Sequence, residues 1–345
     1  MLTAINTHFK YVLLLLAALL TGCNTQGQTT PPTDDANRYL KPAQVIALPG
    51  VEGRFDHFAA DTKNHRLFVA ALGNDTLEVI DTQSAKSVAH ITGLHKPQGV
   101  AFLPDSHRIA VAGGEDGTLR FYDAAILKPG PVINNLDDAD NVRYDATAKR
   151  LYVGYGEGAL AVIDADKSQK IADIKLDGHP ESFQLERDGK RIFVNVPEAH
   201  HVAVIDREKQ TVIARWPTGD AKANFPMALD EHNHRLFIGC RQPAKLLVLD
   251  TGSGKIVSTI DITGDTDDLF YDAANKRIYI SGGAGAITIL NQSTPDTYRT
   301  LAHLKTAPGA RTSFFIPDQQ TLYLAVPHRG PQQPELRTFK AQPDK

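Results

Sequence analysis

The chain has 345 residues, 42% of them hydrophobic, a proportion normal for a globular protein with a packed core. Its 37 basic and 40 acidic residues leave a formal charge of −3, which argues against a nucleic-acid surface, since that would need clustered Lys and Arg. Two cysteines, Cys23 and Cys240, rule out a disulfide framework.

In chain order, the first feature is an export signal. Lys10 precedes a ten-residue apolar run, 11–20, and small residues follow. The run is too short to span a bilayer as a mature helix. The tetrapeptide Leu20-Thr21-Gly22-Cys23 resembles the lipobox of bacterial lipoproteins. That resemblance implies cleavage before Cys23 and a diacylglyceryl group on its sulfur; an ordinary cleaved signal with a chance cysteine is the alternative. Asn24, where an Asp would imply inner-membrane retention, points to the outer membrane facing the periplasm. Residues 24–37 are Thr, Gln, Pro and Gly with few apolar side chains, the composition of a tether. The expected organisation is a signal over 1–22, a lipidated Cys23 and tether over 23–42, and one folded domain over 43–340.

That domain is repetitive. The stretch RLFVAALGNDTLEVID from Arg66 reads as strand, turn, strand, and it returns from Arg108, Arg150, Arg191, Arg235 and Arg277, with a weaker copy at Thr321. The spacing is 41 to 44 residues. A strand precedes each hairpin, as in FDHFAAD from Phe55 and DNVRYDA from Asp140, and another follows, as in KSVAHI from Lys86 and QTVIARW from Gln210. Four short strands per period of about 42 residues make the blade of a β-propeller. Seven copies predict an all-β, seven-bladed β-propeller. No outer strand follows the last hairpin, so the segment 43–48, AQVIAL, is expected to complete the seventh blade and close the ring. A monomer is expected.

The pattern of a strand ending in Tyr-Val or Phe-Val, a Gly or Asn turn and a V-x-VID strand resembles the YVTN-type β-propeller repeat of exported bacterial proteins. Phe68-Val69 with Val79-Ile80-Asp81, and Tyr152-Val153 with Val162-Ile163-Asp164, carry the match. The sixth unit departs from it at Leu290-Asn291, and the seventh is only loosely matched. What the resemblance implies is architecture and an extracytoplasmic setting; a function does not follow from the fold.

Individual chemistry is sought where the repeats differ. The residue ten before each hairpin gives Asp56, Gln98, Asp140, Glu181, Phe225, Asp267 and Arg311; the next position gives His57, Asn141 and Asp268 among others. Asp56, His57, Gln98, Asp140, Asn141, Glu181, Asp267, Asp268 and Arg311 are therefore expected at one mouth of the central channel, joined by His179 just upstream of Glu181. Oxygen ligands and imidazoles converging there suit a divalent cation, Ca²⁺ or Zn²⁺, with Asp140, Asn141, Glu181 and Asp268 as candidate ligands. They equally suit a polar or sugar-like ligand, or a purely structural role with Arg311 offsetting the acids.

Other motifs favour structure. The glycine-rich loops at Gly113, Gly154 and Gly282 join strand to strand, without the helix a phosphate loop needs. Asp81, Asp123, Asp164, Asp206 and Asp250 end the VID strands once per blade, as turn residues do. His200-His201 and the 231–234 turn read as solvated, Pro327-His328-Arg329-Gly330 as a surface loop, and Cys240 as a buried filler. No haem-attachment motif, repeated Trp motif or hydrolase elbow is present. Two functions remain: a lipid-anchored envelope module binding a protein, glycan or small polar ligand, and a metal-dependent lactonase- or lyase-like enzyme working at the channel mouth.

Overall fold

Seven four-stranded antiparallel sheets account for the strands of the computed structural model, which describes residues 36–343. The signal, Cys23 and most of the tether lie outside the described residues. Blade 1 runs outward from the channel through Phe58–Asp61, Arg66–Ala71, Thr76–Asp81 and Lys86–Ile91. Blades 2 to 6 repeat that order, with inner strands Pro97–Leu103, Val142–Asp145, Phe183–Leu185, Lys222–Asp230 and Thr266–Asp272. This is a seven-bladed β-propeller.

Blade 7 is built from both ends of the domain. Ser313–Ile316 and Thr321–Val326 lead to Glu335–Ala341, and Leu40–Ala47 pairs with that strand as the outer edge. The register runs from Leu40 opposite Ala341 to Ala47 opposite Glu335, with an irregularity between Pro42 and Val45. There the Thr338 hydroxyl satisfies the backbone that the ladder misses: it accepts from the Gln44 N–H at 2.9 Å and donates to the Gln44 carbonyl at 3.3 Å. The closing segment begins upstream of the expected boundary at 43. Leu40 is fully buried and Ala36 nearly so, in the apolar layer between blades 6 and 7, so this part of the expected tether is folded by its apolar contacts.

The core lies between the blades. Phe68, Leu77 and Val79 of blade 1 pack on Val100, Ile109 and Val111 of blade 2, and comparable apolar layers recur around the ring. Most of the arginines that open the hairpins also bridge blades, whereas Arg150 pairs with Asp164 of its own blade at 3.0 Å. Arg66 donates to the Ala125 carbonyl at 2.9 Å, Arg108 to the Ser168 hydroxyl at 2.8 Å, and Arg191 and Arg277 to the carbonyls of Thr251 and Gln342. The most regular feature of the sequence is thus a latch between neighbouring sheets.

The aspartates ending the VID strands take the expected turn role. Asp81 accepts from the Ser84 N–H at 2.6 Å, Asp164 from Lys167 at 3.0 Å and Asp206 from Lys209 at 2.9 Å. The glycine-rich loops all join strand to strand. Cys240 is fully buried, and burial pushes its thiol up to about 12. One expectation fails: His201 is not a solvated turn residue. It opens the strand His201–Asp206 and is buried, because its neighbour His200 alone takes the left-handed turn position at φ 53°.

Candidate functional site

The inner strands are irregular at the positions where the repeats differ. In blades 2, 5 and 6 their register slips between Pro97 and Val100, Asn224 and Met227, and Thr266 and Asp268. In blade 1 the Asp56 N–H donates to the Ala70 carbonyl at 2.8 Å while the Ala70 N–H donates to His57 at 3.0 Å, so two residues oppose one. Asp140 and Asn141 share Gly154 in the same way, as Glu181 and Ser182 share Asn195. Such bulges bend a strand and re-aim its side chains. Here they bring consecutive residues of several blades to the wall of one cavity.

That cavity, of about 190 Å³ at the channel mouth, is lined by Asp56, His57, Gln98, Asp140, Asn141, His179, Glu181, Asp267 and Arg311. Every residue expected at the mouth is there except Asp268. Asp268 lines the next compartment inward, of about 460 Å³, and its carboxylate accepts from the Ser313 N–H at 2.7 Å. It stands one bulge position beyond Asp267, which places the two on different levels of the channel. Ser182, Phe225, Arg54, Arg241 and Asp138 complete the mouth lining.

Within the cavity the charges fall into two groups. On one side Arg241 bonds Asp267 and stacks on Phe225, with its guanidinium carbon 3.8 Å from the ring centre. Arg311 reaches Asp267 at 3.0 Å and Asp265 at 2.8 Å. These arginines neutralise their own carboxylates. On the other side lie Asp56, Asp140 and Glu181 with two histidines. Asp140 Oδ1 is 3.4 Å from His57 Nε2, and Asp140 Oδ2 is 3.9 Å from His179 Nε2. His57 Nε2 is also 3.5 Å from Asp56, which takes a 2.9 Å ion pair from Arg54. His179 donates from Nδ1 to the Gly156 carbonyl at 2.8 Å. The side-chain oxygen of Asn141 is buried and accepts no hydrogen bond.

Burial and charge crowding displace these groups from their ordinary titration ranges. Burial pushes Asp56 up to about 6 and Glu181 up to about 8, with the Asp140 charge adding to both. Burial likewise raises Asp268 to about 7. For His57 and His179, burial favours the neutral ring, but the surrounding carboxylates outweigh it and carry each imidazole up to about 9. Burial acts against ionisation of Asp140 too, yet contacts from His179 and His57 hold it well below the usual carboxylate range. At neutral pH the mouth therefore shares protons among its own acids and imidazoles.

Sequence reasoning missed Arg54, Arg241 and Asp138 because they stand outside the aligned bulge positions. Arg54 lies two residues before Asp56, and Arg241 extends the strand Arg235–Gln242 past the length of its counterparts. The length of RLFIGCRQ was a usable signal for the latter.

Comparison with known proteins supports the architecture. The chain matches no protein-family profile. It is 24% identical over 183 residues to the YncE proteins of Salmonella typhimurium and Salmonella typhi, 51% of this chain and 51% of each relative. The aligned part thus spans about half the length of the curated relatives it matches. Among solved structures it resembles Kuenenia stuttgartiensis hydrazine synthase, with TM-score 0.71 and 17% identity over 81% of this chain and 95% of that one. It also resembles a chain of a mitotic checkpoint complex, with TM-score 0.74 and 15% identity over 96% of this chain and 100% of that one. The WD40 repeats of RRP9 align with TM-score 0.76 and 9% identity over 88% of this chain and 100% of theirs. At these identities the likeness is one of fold.

Proposed function

We propose that this propeller is a lipid-tethered binding module of the bacterial cell envelope, and that the acidic mouth of its channel receives a positively charged group. The observation that carries the reading is the convergence of Asp56, Asp140 and Glu181 in one cavity, two of them raised in pKa by burial. At neutral pH Glu181 and the imidazoles of His57 and His179 hold protons that an arriving cation would displace. The rim continues the theme: a groove of about 430 Å³ beside the mouth is lined by Asp137, Asp138, Glu157 and Glu198 and shares His179 and Glu181 with it. WD40-type neighbours support a protein as the partner, one that presents basic side chains to this rim. The tether reading rests on the lipobox-like run ending at Cys23 and on the polar segment after it.

The test places a photo-crosslinking residue at Glu157, on the rim, or at Ile171, on the outer strand, in cells expressing the full chain. Adducts from position 157 that fade when Glu198 and Asp138 are neutralised are expected. Adducts from position 171 alone would refute the assignment.

A second reading, a metal-dependent lactonase- or lyase-like enzyme, is favoured by Glu181, whose pKa of about 8 suits a general acid or base at neutral pH. Lactone turnover by the purified chain, lost in Glu181→Gln, would establish it; the absence of turnover with every divalent cation tried would leave binding as the function.

A further inference from the structure

Asp140 turns its two carboxylate oxygens toward two different imidazoles. Oδ1 faces His57 at 3.4 Å and Oδ2 faces His179 at 3.9 Å. Each imidazole has a second carboxylate beside it, so two triads share one residue: Asp56, His57 and Asp140, and Asp140, His179 and Glu181, each with ligand atoms within 4.8 Å of one another. These separations are long for hydrogen bonds between a carboxylate and an imidazole. They fit two donors on a common ion, because ligand atoms about 2.1 Å from a tetrahedral metal stand roughly 3.4 Å apart.

Two further observations point to a ligand rather than to a self-contained network. The Gly156 carbonyl accepts the Nδ1 proton of His179 at 2.8 Å, which orients the ring and leaves Nε2 as the nitrogen available to a cation. Metal-bound histidines are commonly fixed in this way. The second is Asn141, only 2% exposed and part of the same cavity lining, whose side-chain oxygen accepts no hydrogen bond while its Nδ2 lies 3.5 Å from Asp140 Oδ1. A buried acceptor without a donor is costly, and a cation or its bound water supplies the missing partner. The arginines nearby do not fill that role, since Arg241 and Arg311 are engaged with Asp267.

We infer that the channel mouth holds a pair of divalent transition-metal ions of the zinc class, bridged by the Asp140 carboxylate, with Asp56 and His57 on one ion and His179 and Glu181 on the other. The inference rests on the reading of the mouth as the cation-receiving site and specifies the cation. One imidazole per triad selects a borderline metal over Ca²⁺ or Mg²⁺, which take oxygen ligands. Three protein ligands per ion leave each with an open position toward the cavity. Carboxylate-bridged pairs of this kind hold their ions about 3.5–4 Å apart.

The experiment is equilibrium dialysis of the chelator-stripped full chain against Zn²⁺, with Ca²⁺ in parallel and metal content measured per chain. Two Zn²⁺ are expected, undiminished by Ca²⁺ in excess. Asp140→Ala should lose both, while His57→Ala and His179→Ala should each keep one. If Asp140→Ala does not fold, the two histidine variants still decide the question through Co²⁺ loading: each should lose about half of the visible d–d absorption, with the surviving spectra differing between them. Fewer than two ions in the wild type, or two retained in either histidine variant, would overturn the pair. Absence of metal together with intact cross-linking at position 157 would overturn the metal pair and leave the binding reading standing.

Discussion

His57 and Asp140 stand 3.4 Å apart although they belong to blades 1 and 3, because the blade between them places Gly99, with no side chain, against the Asp140 backbone while its Gln98 turns to Asp138 and Ala139. A Cβ on Gly99 would lie 2.0 Å from the Asp140 carbonyl oxygen and 2.8 Å from a Val142 methyl. The missing side chain lets neighbouring inner strands come together and lets charges from alternate blades meet.

Gly99→Ala should therefore force backbone apart at the mouth rather than simply fill space. A loss of about 1–3 kcal/mol is expected, the usual cost of overpacking. Urea unfolding of the variant checks it, and an unchanged midpoint would show that the inner strands are not held at this distance.

Glu181 gives a pH dependence whose sign follows from its environment. Burial raises its folded pKa to about 8 from an ordinary 4.5, so the folded state binds a proton that the unfolded state has already released. The stability linked to that proton is full below pH 4.5 and is lost as pH rises toward 8. In chelator-stripped protein, Glu181→Gln should flatten the decline in melting temperature between pH 5 and 8 and exceed the wild type at pH 8. Parallel pH profiles for the two proteins would contradict this environment for Glu181.

Ring closure depends on Leu40, fully buried beside Leu322, Leu324 and Phe339. Leu40→Ala should cost about 2–5 kcal/mol, as large-to-small changes in a tight core do. Denaturant unfolding measures it, and deletion of residues 36–47 should be more damaging still by exposing the edge of Glu335–Ala341.

The proposed lipid tether has its own test. Cys23→Ala should move the protein from the detergent phase to the aqueous phase of a membrane extraction, because the proposed anchor places the acyl group on the Cys23 sulfur. A variant that stays in the detergent phase would exclude the anchor.

Most of the fold was legible because its rules are local. Runs of β-branched and large apolar residues recur in the hairpins, with a Gly or Asn turn or a closing aspartate in most of them, and such features obey the same short-range chemistry wherever they stand. The closing strand was legible by a count of outer strands, although the burial of Ala36 and Leu40 upstream was not. The mouth was legible as a level: aligned offsets, with His179 just upstream of Glu181, named nine of its lining residues but also Asp268, which a bulge sets in the compartment below. Arg54 and Asp138 were illegible because no repeat position predicts them, and Arg241 left only the extra length of its strand as a sign.

The sequence by itself determined the blade and its number, since each depends on patterns within about 42 residues of one another, and the way the ring closes, through the outer strand missing after the last hairpin. It also determined which positions differ from blade to blade, and so where individual chemistry belongs. Only the tertiary structure decided that Asp140 faces both His57 and His179, that Arg241 and Arg311 are taken up by Asp267, and that the Asn141 oxygen is left without a donor. Those facts depend on bulges and on the approach of strands from different blades, which residues distant in the chain settle jointly and no single repeat contains.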